Sequence, residues 1–443
     1  MTAMSNLTAM TVGVWGGGRD GHAAASRCLE QGCEVVLISD DPATDEAGRR
    51  TSAELSVPLH HVDDIAGLGI GFLIRSPGIS RYRPEVIALA KRSVESSNLF
   101  ALWLADQPAN KVIGVTGTKG KSTTATAIHG LFTAMGINAA IGGNIGVPVT
   151  HLDPRADVHV IEVSSYQASD CTTSPGIGVM TALGQDHISW HGTLAQYHRD
   201  KVNLFAHRQL RHMVFHDHDQ VVRRALASVA ADVKHFPAPV DIAHLDTLAA
   251  GTGAYERMGA TTFPQNFLLA VTAVHAFGTP PGDGHLVAAL EATAPLASRQ
   301  DVIGVARGVE FVDDALASNP LAARAAIDRF TDKPCVVIVG GGDRHVDHSE
   351  YADSLNAAGH VRHVVVMGPA DDPLAARIMP MLARASRSES DDVADAVAIA
   401  LDVAEPGWRI IFSPAAPTPA HVGDYRTRSE SFRAAMDRAS SIS

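Results

Sequence analysis

The sequence has 443 residues, enough for about three domains of ordinary size. Hydrophobic residues make up 46% of it and charged residues 19%, a composition that supplies apolar cores and argues against a disordered chain. The formal net charge of -12 argues against general nucleic-acid binding and against attachment to an anionic membrane surface. Any phosphate site must therefore be built locally, from backbone amides and a few cations.

Cysteine usage and the amino-terminal segment bear on the compartment. The four cysteines form no CxxC pair and no Cys/His metal spacing, which predicts free thiols in a reducing compartment. Residues 1–10 lack a cationic segment followed by an apolar one, and no apolar run reaches membrane-spanning length. We therefore expect a soluble, cytoplasmic monomer with no nucleic-acid partner and no stable membrane association.

Apolar runs of strand length recur along the chain and lead into glycines or helical patterns, as expected of parallel α/β units. In the first part of the chain these runs are Val12–Trp15, Glu34–Ile38 and Gly71–Arg75. In the middle they are Lys111–Val115, Val158–Val163 and Gly178–Leu183. In the last part they are Val309–Val312, Cys335–Val339, His363–Met367 and Arg409–Ser413. Polar or proline-containing stretches near 107–110 and 297–301 predict the limits of three α/β domains, at 8–105, 106–297 and 298–443.

The run Thr116–Thr123, with the sequence TGTKGKST, lies between a predicted strand and a long helical pattern. Phosphate oxygens need converging backbone N–H groups, a helix N-terminus and a mobile cation. The two glycines permit the tight turn, Lys121 can reach the β- and γ-phosphates, and the Ser122 hydroxyl can ligate Mg²⁺. The strict GxxxxGK[ST] pattern fails, because Val115 stands at its first glycine. A fortuitous glycine turn is the alternative, and the strand-loop-helix context disfavours it.

This shorter loop resembles the one used by the Mur ligase family and by folylpolyglutamate ligases. Four later segments resemble Mur ligase motifs in order and spacing: GGNIGVP at Gly142–Pro148, EVSSYQ at Glu162–Gln167, DHISWHG at Asp186–Gly192 and YHRDK at Tyr197–Lys201. Each segment alone is weak, but together they extend the likeness over nearly the whole chain. The resemblance implies a P-loop ATPase-like central domain that makes an amide bond through an acyl phosphate.

The family's motifs imply a nucleotide and metal site in this sequence. The residues implied to bind ATP are Gly117, Thr118, Lys119, Gly120, Lys121, Ser122, Thr123 and Asn266. Two Mg²⁺ ions are implied, with the ligands Ser122, Glu162, His187 and a carbamylated Lys201. The catalytic residues implied are Lys121, His187, Lys201 and Arg299.

The first domain opens on a run of glycines, Gly16–Gly18, between a predicted strand and a helix. The resemblance implies a Rossmann-like domain that binds the UDP group of UDP-N-acetylmuramoyl-L-alanine, with these glycines close to the diphosphate. The residues implied to bind that substrate are Gly17, Gly18, Arg19, Asp40, Ser76, Pro77, Gly78, Asn144 and Ser164.

The last domain continues the resemblance, as a Rossmann-like domain that binds the amino acid. Its segments are Ser298–Gln300 (SRQ), Asp313–Pro320 (DDALASNP), Gly340–Arg344 (GGGDR) and Ser413–Thr418 (SPAAPT), followed by Tyr425 and Arg428. In the family, the arginine of the first segment approaches the γ-phosphate of ATP. The residues implied to bind glutamate are Ser318, Arg344, Thr418 and Tyr425.

Several positions depart from the family's pattern. Ala315 and Leu316 replace a serine and a lysine, so one cation expected near the amino acid is missing. Ser298 and Ser429 replace a histidine and a glycine. The remaining departures are Thr262 and Phe263 in place of an adenine-contacting His-Asn pair, and Ala182 in place of an asparagine. These changes make a Mur-like protein with weakened activity an alternative.

The glycine-rich start and the lysine-free stretch at Leu316 resemble a smaller branch of the family. That branch adds L-glutamate and relies on a separate epimerase to invert the product. Moving one cation in an amino-acid pocket can change which enantiomer is accepted. We therefore favour L-glutamate, with D-glutamate as the alternative.

Three other functions fit part of the sequence. An NAD-binding oxidoreductase would use Gly16, Gly18 and Gly21 as a GxGxxG motif, but that motif is nonspecific and leaves the TGTKGKST loop unexplained. A catalytically silent Mur-like binding protein would explain the altered adenine and amino-acid contacts. A folate polyglutamylating enzyme shares the loop, and it is disfavoured by the separate first domain and the SPAAPT segment.

Overall fold

The computed structural model describes the chain apart from residues 1–2, 9, 228, 230–233, 259–262, 279, 295–296, 344–345, 369–371, 420–421 and 442–443. The described chain divides into two compact units. The first comprises residues 1–183, 190–253 and 264–292, and the second comprises residues 184–189, 254–263 and 293–443.

The first unit contains two parallel sheets. The strands of the first sheet are β1 (Thr11–Trp15), β2 (Glu34–Ser39), β3 (Leu59–His61), β4 (Phe72–Arg75) and β5 (Glu95–Ser97), in the order β3-β2-β1-β4-β5. The helices that accompany it are α1 (Arg19–Glu30), α2 (Glu46–Leu55), α3 (Pro84–Lys91) and α4 (Leu99–Asp106). Asp45 and Asn98 start α2 and α4 by accepting backbone N–H bonds, as N-cap residues do.

The second sheet holds the phosphate loop. Its strands are β6 (Val112–Thr116), β7 (Ala139–Gly143), β8 (Val158–Glu162), β9 (Ile177–Met180), β10 (His212–Val214) and β11 (Lys234–His235), in the order β11-β10-β9-β6-β8-β7. The helices from this stretch are α5 (Lys121–Ala134), α6 (Ser165–Ala168), α7 (Ile188–His191), α8 (Leu194–Val202), α9 (Gln220–Leu226), α10 (Ile242–Ala249), α11 (Ala254–Met258), α12 (Phe263–Phe277) and α13 (Asp283–Ala292). Every strand of this sheet is parallel to its neighbours, so the loops after β6, β8 and β9 lie at one edge.

Helix α4 joins the two sheets of the first unit. Phe100 and Trp103 on this helix belong to the same apolar core as Val149 and Ala168. The Trp103 ring also meets the imidazole of His159 edge-on, with 5.5 Å between ring centroids. Buried aromatic area of this kind stabilises the contact between the two sheets.

The second unit is built on one mixed sheet. Its strands are β12 (Asp301–Ala306), β13 (Val309–Asp313), β14 (Cys335–Gly340), β15 (Val361–Met367), β16 (Arg387–Ser390) and β17 (Arg409–Phe412), in the order β12-β13-β17-β14-β15-β16. The helices are α14 (Pro320–Arg329), α15 (Ser349–Ala357), α16 (Pro373–Met381), α17 (Val393–Val403) and α18 (Tyr425–Ser440). Strands β14 and β17 are wholly buried, which agrees with their apolar sequences apart from Arg409 at the start of β17.

The α/β class and the three sheets confirm the predicted fold, but seven of the seventeen described strands were not predicted: β3, β5, β7, β10, β11, β12 and β16. The first strand of the last domain was expected at Val309–Val312, yet β12 precedes it, starting at Asp301 and running antiparallel to β13. This edge strand is hard to see in the sequence because Gly304 interrupts it and Val302 and Val305 are exposed. The exact domain limits at 105/106 and 297/298 remain a prediction.

Two further expectations concern cysteines and membranes. Cys28, Cys33, Cys171 and Cys335 are all free and buried. In the described part of the chain, no helix combines the length and the apolar character that crossing a membrane requires.

Candidate active site

The phosphate loop follows β6, a central strand of the second sheet, and ends where α5 begins at Lys121. Gly117 has φ 149° and Gly120 has φ 86°, conformations that L side chains rarely adopt. The Thr118 N–H donates to the Ala182 carbonyl at 2.5 Å, and the Lys121 ammonium donates to the Thr118 carbonyl at 3.1 Å. The loop is therefore tied to the end of β9, and its lysine lies at the N-terminus of α5, where anions bind favourably.

Asn266 lies beside this loop, although it is far away in the sequence. It is carried by α12, and its Oδ1 is 3.4 Å from the Thr124 hydroxyl, one turn into α5. A Cβ added to Gly120 would collide with the Asn266 side chain. The backbone of the loop therefore approaches Asn266 more closely than any other residue at position 120 would permit.

Glu162, at the end of β8, has one carboxylate oxygen engaged and one without a partner. Its side chain is only 2% exposed. Oε1 accepts a hydrogen bond from the Asn144 amide at 2.6 Å, while Oε2 is buried and no described residue offers it a hydrogen bond. Since a buried carboxylate oxygen is costly without a partner, this geometry fits a carboxylate that awaits a cation.

Ser164 follows Glu162 and starts α6. Its hydroxyl accepts the Gln167 N–H, and the Gln167 side chain accepts the Ser164 N–H, which makes a capping box. This cap fixes the turn that carries Glu162, Val163 and Ser164. Glu162, predicted to bind metal, and Ser164, predicted to bind the UDP substrate, are therefore held in one rigid turn.

Lys201 is buried at 2% exposure, an unusual environment for a lysine. Its nitrogen donates to the Gly117 carbonyl at 2.7 Å and lies 4.9 Å from the centroid of the Tyr197 ring. The Tyr197 hydroxyl is in turn 3.0 Å from the hydroxyl of Thr118. Helix α8 is thus anchored twice to the phosphate loop, through residues one turn apart.

A buried Ser–His–Asp chain, which the sequence analysis missed, fixes α8 against α6. His191 Nδ1 is 2.5 Å from the carboxylate of Asp200, and Nε2 is 2.9 Å from the Ser165 hydroxyl. All three residues are buried, so the arrangement holds two helices together and does not present a nucleophile to solvent. Asp200 stands next to Lys201, so this chain also fixes the register of the lysine.

The predicted UDP-binding residues gather at the ends of β1, β2 and β4. Gly18 caps α1, which Arg19 begins, and the Ser76 hydroxyl donates to the Gly16 carbonyl at 2.9 Å. The Arg19 guanidinium lies 3.6 Å from the position that a Cβ on Gly146 would occupy. The predicted diphosphate residues of the first sheet and the GGNIG segment of the second sheet therefore meet within the first unit.

Asp40 and Pro77 have partners that the sequence did not suggest. The Asp40 carboxylate accepts the Arg83 guanidinium at 2.7 Å, and the Pro77 carbonyl accepts the Trp190 indole N–H at 3.1 Å. Gly78 follows Pro77 in the same turn. The segment after β4 is therefore held against the helices that follow β9.

Another contact between the sheets of the first unit is a buried ion pair. Arg75, at the end of β4, donates to the Asp170 carboxylate at 2.5 Å, and Asn98 donates to the same carboxylate at 2.9 Å. Burial lowers the pKa of the Arg75 guanidinium, and the Asp170 charge opposes that effect. Because removing one partner leaves a buried charge, this cluster fixes how the two sheets of the unit pack.

In the second unit, His187 has a left-handed backbone, with φ 54°. Its ring nitrogen Nε2 is 3.6 Å from the Asp186 carboxylate, which also accepts the Asn319 amide at 2.8 Å. Asn319 caps α14, directly after Ser318 of the predicted amino-acid segment. His187 is three-quarters buried and keeps an accessible edge.

Arg299, the predicted γ-phosphate ligand, is also in the second unit and lies near the buried carboxyl of Asp314. Burial raises the pKa of Asp314 to about 7, and the Ser413 hydroxyl and the Arg299 charge partly offset that effect. The Ser413 hydroxyl donates to Asp314 at 2.6 Å. A second acidic residue, Asp313, lies alongside and is fully buried.

Arg428 connects the three loops predicted to surround the amino acid. It is 2% exposed, and its guanidinium donates to the carbonyls of Gly340, Ala315 and Ala416 at 3.4, 3.2 and 3.1 Å. These carbonyls belong to the GGGDR, DDALASNP and SPAAPT segments. The sequence motif contained this arginine, but its role as a clamp depends on contacts that only the fold brings together.

Of the predicted glutamate-binding residues, Thr418, Tyr425 and Ser318 lie in the described structure and Arg344 does not. Thr418 has a buried hydroxyl to which no described residue offers a hydrogen bond, as expected of a group that awaits a ligand. Tyr425 is the first residue of α18, and Ser318 is half-buried before α14. Arg344 lies outside the described residues. Thr262, one of the two departures at the adenine motif, also lies outside them.

Phe263, the other departure at that motif, is a core residue. It is buried, and its ring meets that of Tyr255 edge-on with 6.2 Å between centroids. A buried phenyl ring cannot replace the hydrogen bonds of an adenine-contacting asparagine. Of the three polar positions in that motif, the described structure retains Asn266.

Three features define a phosphate-loop enzyme of the α/β class: a phosphate loop in a parallel sheet, a buried carboxylate nearby with one oxygen that no described residue hydrogen-bonds, and a third, mixed sheet. Residues 115–239 match the Mur ligase middle domain, and residues 298–416 match the Mur ligase glutamate ligase domain. The chain belongs to the Mur ligase family, whose members are ATP-dependent ligases that join an acid to an amino acid.

Similar proteins cover almost the whole chain. The UDP-N-acetylmuramoyl-L-alanine–L-glutamate ligase of a Micromonospora species is 34% identical and covers 98% of both chains. The enzyme of the same name from Salinispora tropica is 34% identical with the same coverage. A UDP-N-acetylmuramoylalanine–D-glutamate ligase of Sphingopyxis alaskensis is 29% identical over 96% of both chains.

Solved structures agree with the fold. The UDP-N-acetylmuramate–alanine ligase of Thermotoga maritima has a TM-score of 0.59 at 15% identity and covers 98% of this chain and 100% of its own. The MurF ligase of the same organism, solved with ADP, has a TM-score of 0.57 at 16% identity and covers 100% and 97%. These similarities establish the three-domain architecture.

Proposed function

We propose that the chain joins L-glutamate to UDP-N-acetylmuramoyl-L-alanine in the cytoplasm, using ATP, as a step of peptidoglycan precursor synthesis. The observation that carries this proposal is the phosphate loop with its neighbouring carboxylate, Glu162, in a chain whose full length matches ligases of that name. The loop supports the use of ATP, and the names of the relatives support UDP-N-acetylmuramoyl-L-alanine as the acid and glutamate as the amine.

In the first step, a carboxylate oxygen of the alanine attacks the γ-phosphorus of ATP, the bond to the bridging oxygen breaks, and ADP leaves. Phosphoryl transfer of this kind needs positioning and charge neutralisation more than covalent help. Lys121 and the backbone N–H groups at the start of α5 supply both, because they lie where a phosphate would sit. The product is an acyl phosphate.

In the second step, the glutamate nitrogen attacks the acyl carbon, the carbon–oxygen bond to phosphate breaks, and the amine loses a proton. The tetrahedral oxyanion formed on the way requires nearby positive charge. Divalent cations would supply Lewis acidity at this site. The amide and inorganic phosphate are then released.

The residues present fit a divalent cation. Glu162 offers a buried oxygen without a partner, and Ser122 offers a hydroxyl at the start of α5. Among the described residues no three His, Cys, Asp or Glu side chains lie close enough to hold a metal ion alone. We therefore propose that His187 and a carbamylated Lys201 complete the ligand set with phosphate oxygens, for two Mg²⁺ ions.

Burial supports carbamylation of Lys201. An ammonium with 2% exposure is costly, and a carbamate would replace that positive charge with an anionic cation ligand. The carbamate nitrogen keeps an N–H, which can still donate to the Gly117 carbonyl. The same lysine would then serve the loop and the metal at once.

The UDP-substrate and glutamate positions rest on different supports. The meeting of Arg19 with the Asn144–Gly146 segment supports a diphosphate and muramoyl site in the first unit. Thr418 and the clamp formed by Arg428 support an amino-acid site in the second unit. Leu316, where a lysine would be expected, supports L-glutamate; D-glutamate is the alternative, since a D-glutamate ligase is 29% identical.

Release of phosphate from ATP tests the proposal when each substrate is omitted in turn. With Mg²⁺, UDP-N-acetylmuramoyl-L-alanine and glutamate present, the purified chain should release phosphate, and omission of any one should stop it. Addition of NAD in place of ATP should give no turnover. Absence of phosphate release with every glutamate isomer would show that the chain has lost ligase activity and binds only.

A further inference from the structure

Both neighbours of Arg299 have a left-handed backbone. Ser298 has φ 58° and Gln300 has φ 51°, and neither is a glycine. Residues with a side chain adopt this conformation rarely, and it persists only where the surrounding structure fixes it. The segment around Arg299 is therefore strained on both sides, and something must hold it.

On one side, a directed hydrogen-bond chain holds Ser298, which is 4% exposed. The Ser429 hydroxyl, from α18, lies 2.6 Å from the Asp313 carboxylate, and a carboxylate can only accept. Ser429 therefore donates to Asp313, and its oxygen accepts the Ser298 hydroxyl at 2.8 Å. The Arg433 guanidinium, 3.1 Å from the same carboxylate oxygen, fixes the end of the chain.

On the other side, backbone bonds hold Gln300. Its N–H donates to Asp314 at 3.2 Å, and its carbonyl accepts the Arg329 guanidinium at 3.2 Å. The Ser298 carbonyl is also engaged, by the Leu316 N–H at 3.0 Å. The backbone on both sides of Arg299 is thus fixed, and the hydroxyl pair of Ser298 and Ser429 links Ser298 to α18.

Ser298 and Ser429 both depart from the family's motifs, as a serine for histidine and a serine for glycine. They are separated by 131 residues in sequence, yet they contact each other. A glycine at 429 would remove the hydroxyl that Ser298 donates to. The two departures therefore depend on one another.

We propose that Ser298 and Ser429 are a pair of positioning residues that hold Arg299 in the orientation in which it contacts the γ-phosphate. This inference rests on the proposed function, since it takes from that function the role of Arg299. Both serines are buried and their hydroxyls bond to each other, so the pair acts through the backbone of the arginine. A misplaced arginine would stabilise the transferred phosphoryl group less and would leave glutamate binding unchanged.

The test compares Ser298→Ala, Ser429→Ala and Ser431→Ala in the full chain. Ser431 is a matched control, because it lies on the same helix, is only partly buried, and within the described chain its hydroxyl bonds to the Thr427 carbonyl of that helix. The first two variants should lower kcat by roughly ten- to a hundredfold with the KM for glutamate unchanged. Ser431→Ala should behave as the wild type. Wild-type kcat in Ser298→Ala and Ser429→Ala would overturn the pair.

A binding measurement separates positioning from simple loss of structure. The ratio of affinities for the ATP analogue AMPPNP and for ADP reports the γ-phosphate contact. Ser429→Ala should lower this ratio toward the value of Arg299→Lys, in protein whose melting temperature shows that it is folded. A melting temperature that falls while the ratio stays at the wild-type value would show a purely structural role and contradict the proposal.

A double-mutant cycle asks whether Ser429 acts through Arg299. In the Arg299→Lys background, Ser429→Ala should have little further effect on kcat. An undiminished effect in that background would show that Ser429 acts elsewhere, and would overturn the proposal. A wild-type chain without ligase activity would instead count against the proposed function, so the two failures are distinguishable.

Discussion

At the residue scale, the two oxygens of Glu162 have different surroundings, and that difference is informative. One is engaged by Asn144, and the other is buried without a described partner. A carboxylate that served only structure would have both oxygens satisfied. The same reasoning applies to the Thr418 hydroxyl, which is also buried without a described partner and supports the proposed place of this residue in the amino-acid site.

We predict that Glu162→Gln weakens Mg²⁺ binding more than Asn144→Ala does. Glu162→Gln removes the anionic ligand itself. Asn144→Ala removes only the residue that orients this ligand, and loss of an orienting residue typically lowers metal affinity about ten- to a hundredfold. The Mg²⁺ concentration that gives half-maximal phosphate release measures both. Equal Mg²⁺ dependence in wild type and Glu162→Gln would place the cation elsewhere.

Lys121→Ala and His187→Ala should each abolish turnover while the chain stays folded. Lys121 supplies charge to the phosphates at the start of α5, and loss of one such group costs roughly a hundredfold or more. His187 is only three-quarters buried, so its removal opens no sealed core. Circular dichroism checks the fold. Turnover within a few-fold of wild type in both variants would mean that the site is assigned wrongly.

Asp314 gives the second unit a distinct pH dependence. Burial raises its pKa from 3.8 to about 7, so between these values the folded chain binds more protons than the unfolded chain. The stability that this group contributes is therefore full below the unfolded pKa and is lost as the pH rises through about 7. Asp314→Asn, which resembles the protonated form, should flatten the fall in melting temperature between about pH 5 and pH 8.

The exposed Asp353, on α15, provides the control for that measurement. Asp353→Asn should leave the pH profile of the melting temperature as it is in the wild type. A wild-type profile in Asp314→Asn as well would show that the buried carboxyl does not change its protonation state within this range.

Individual contacts at this scale were only partly predictable from the sequence. The residues of the phosphate loop, Lys121 among them, pointed to phosphate chemistry, and the resemblance to Mur ligase motifs implied a metal role for Glu162 and His187. The Ser298–Ser429 pair and the chain from Ser165 through His191 to Asp200 join residues that are distant in sequence, and only the fold places them together. No local pattern carries such information.

At the element scale, the phosphate loop depends on glycines for two different reasons. Gly117 and Gly120 have positive φ, and a Cβ on Gly120 would also collide with Asn266. Gly130, inside α5, has ordinary helical geometry and open space around it. The same substitution should therefore have opposite effects at the two ends of one helix.

We predict that Gly120→Ala greatly weakens ATP binding, because the loop must shift to accommodate the side chain. Gly130→Ala should bind ATP normally and raise the stability of the chain by about 0.5–1 kcal/mol, since alanine favours the helix. Calorimetric titration with AMPPNP and a thermal melt check both. Normal AMPPNP affinity in Gly120→Ala would mean that the loop is not the nucleotide site.

Strands with uninterrupted apolar sequence were predictable as elements, and edge strands were not. β14 and β17 lie at the centre of their sheet, so apart from Arg409 at the start of β17 their residues are apolar on both faces. β12 lies at an edge, exposes Val302 and Val305 and contains Gly304, so its sequence lacks the period of a half-buried strand. Because β12 lacks a strand-like pattern, the first strand of the second unit's sheet was predicted at Val309 and not at Asp301.

At the scale of the whole molecule, each unit carries part of the proposed chemistry. The first contains the phosphate loop, Glu162 and Lys201, and the second contains His187, Arg299 and the segments clamped by Arg428. The architecture was predictable because motifs of one family recur in order along the chain. The choice between L- and D-glutamate was less predictable, because it depends on the shape of a pocket that lacks one expected cation, at Leu316.

The central claim is that this chain forms an amide between UDP-N-acetylmuramoyl-L-alanine and glutamate, and mass spectrometry of the product tests it most directly. L-glutamate and D-glutamate are supplied in separate reactions with ATP and Mg²⁺. We predict that the L-glutamate reaction yields a nucleotide one glutamate residue heavier, with one phosphate released per product, and that the D-glutamate reaction yields far less. No heavier nucleotide in either reaction, from folded protein that binds AMPPNP, would contradict the account.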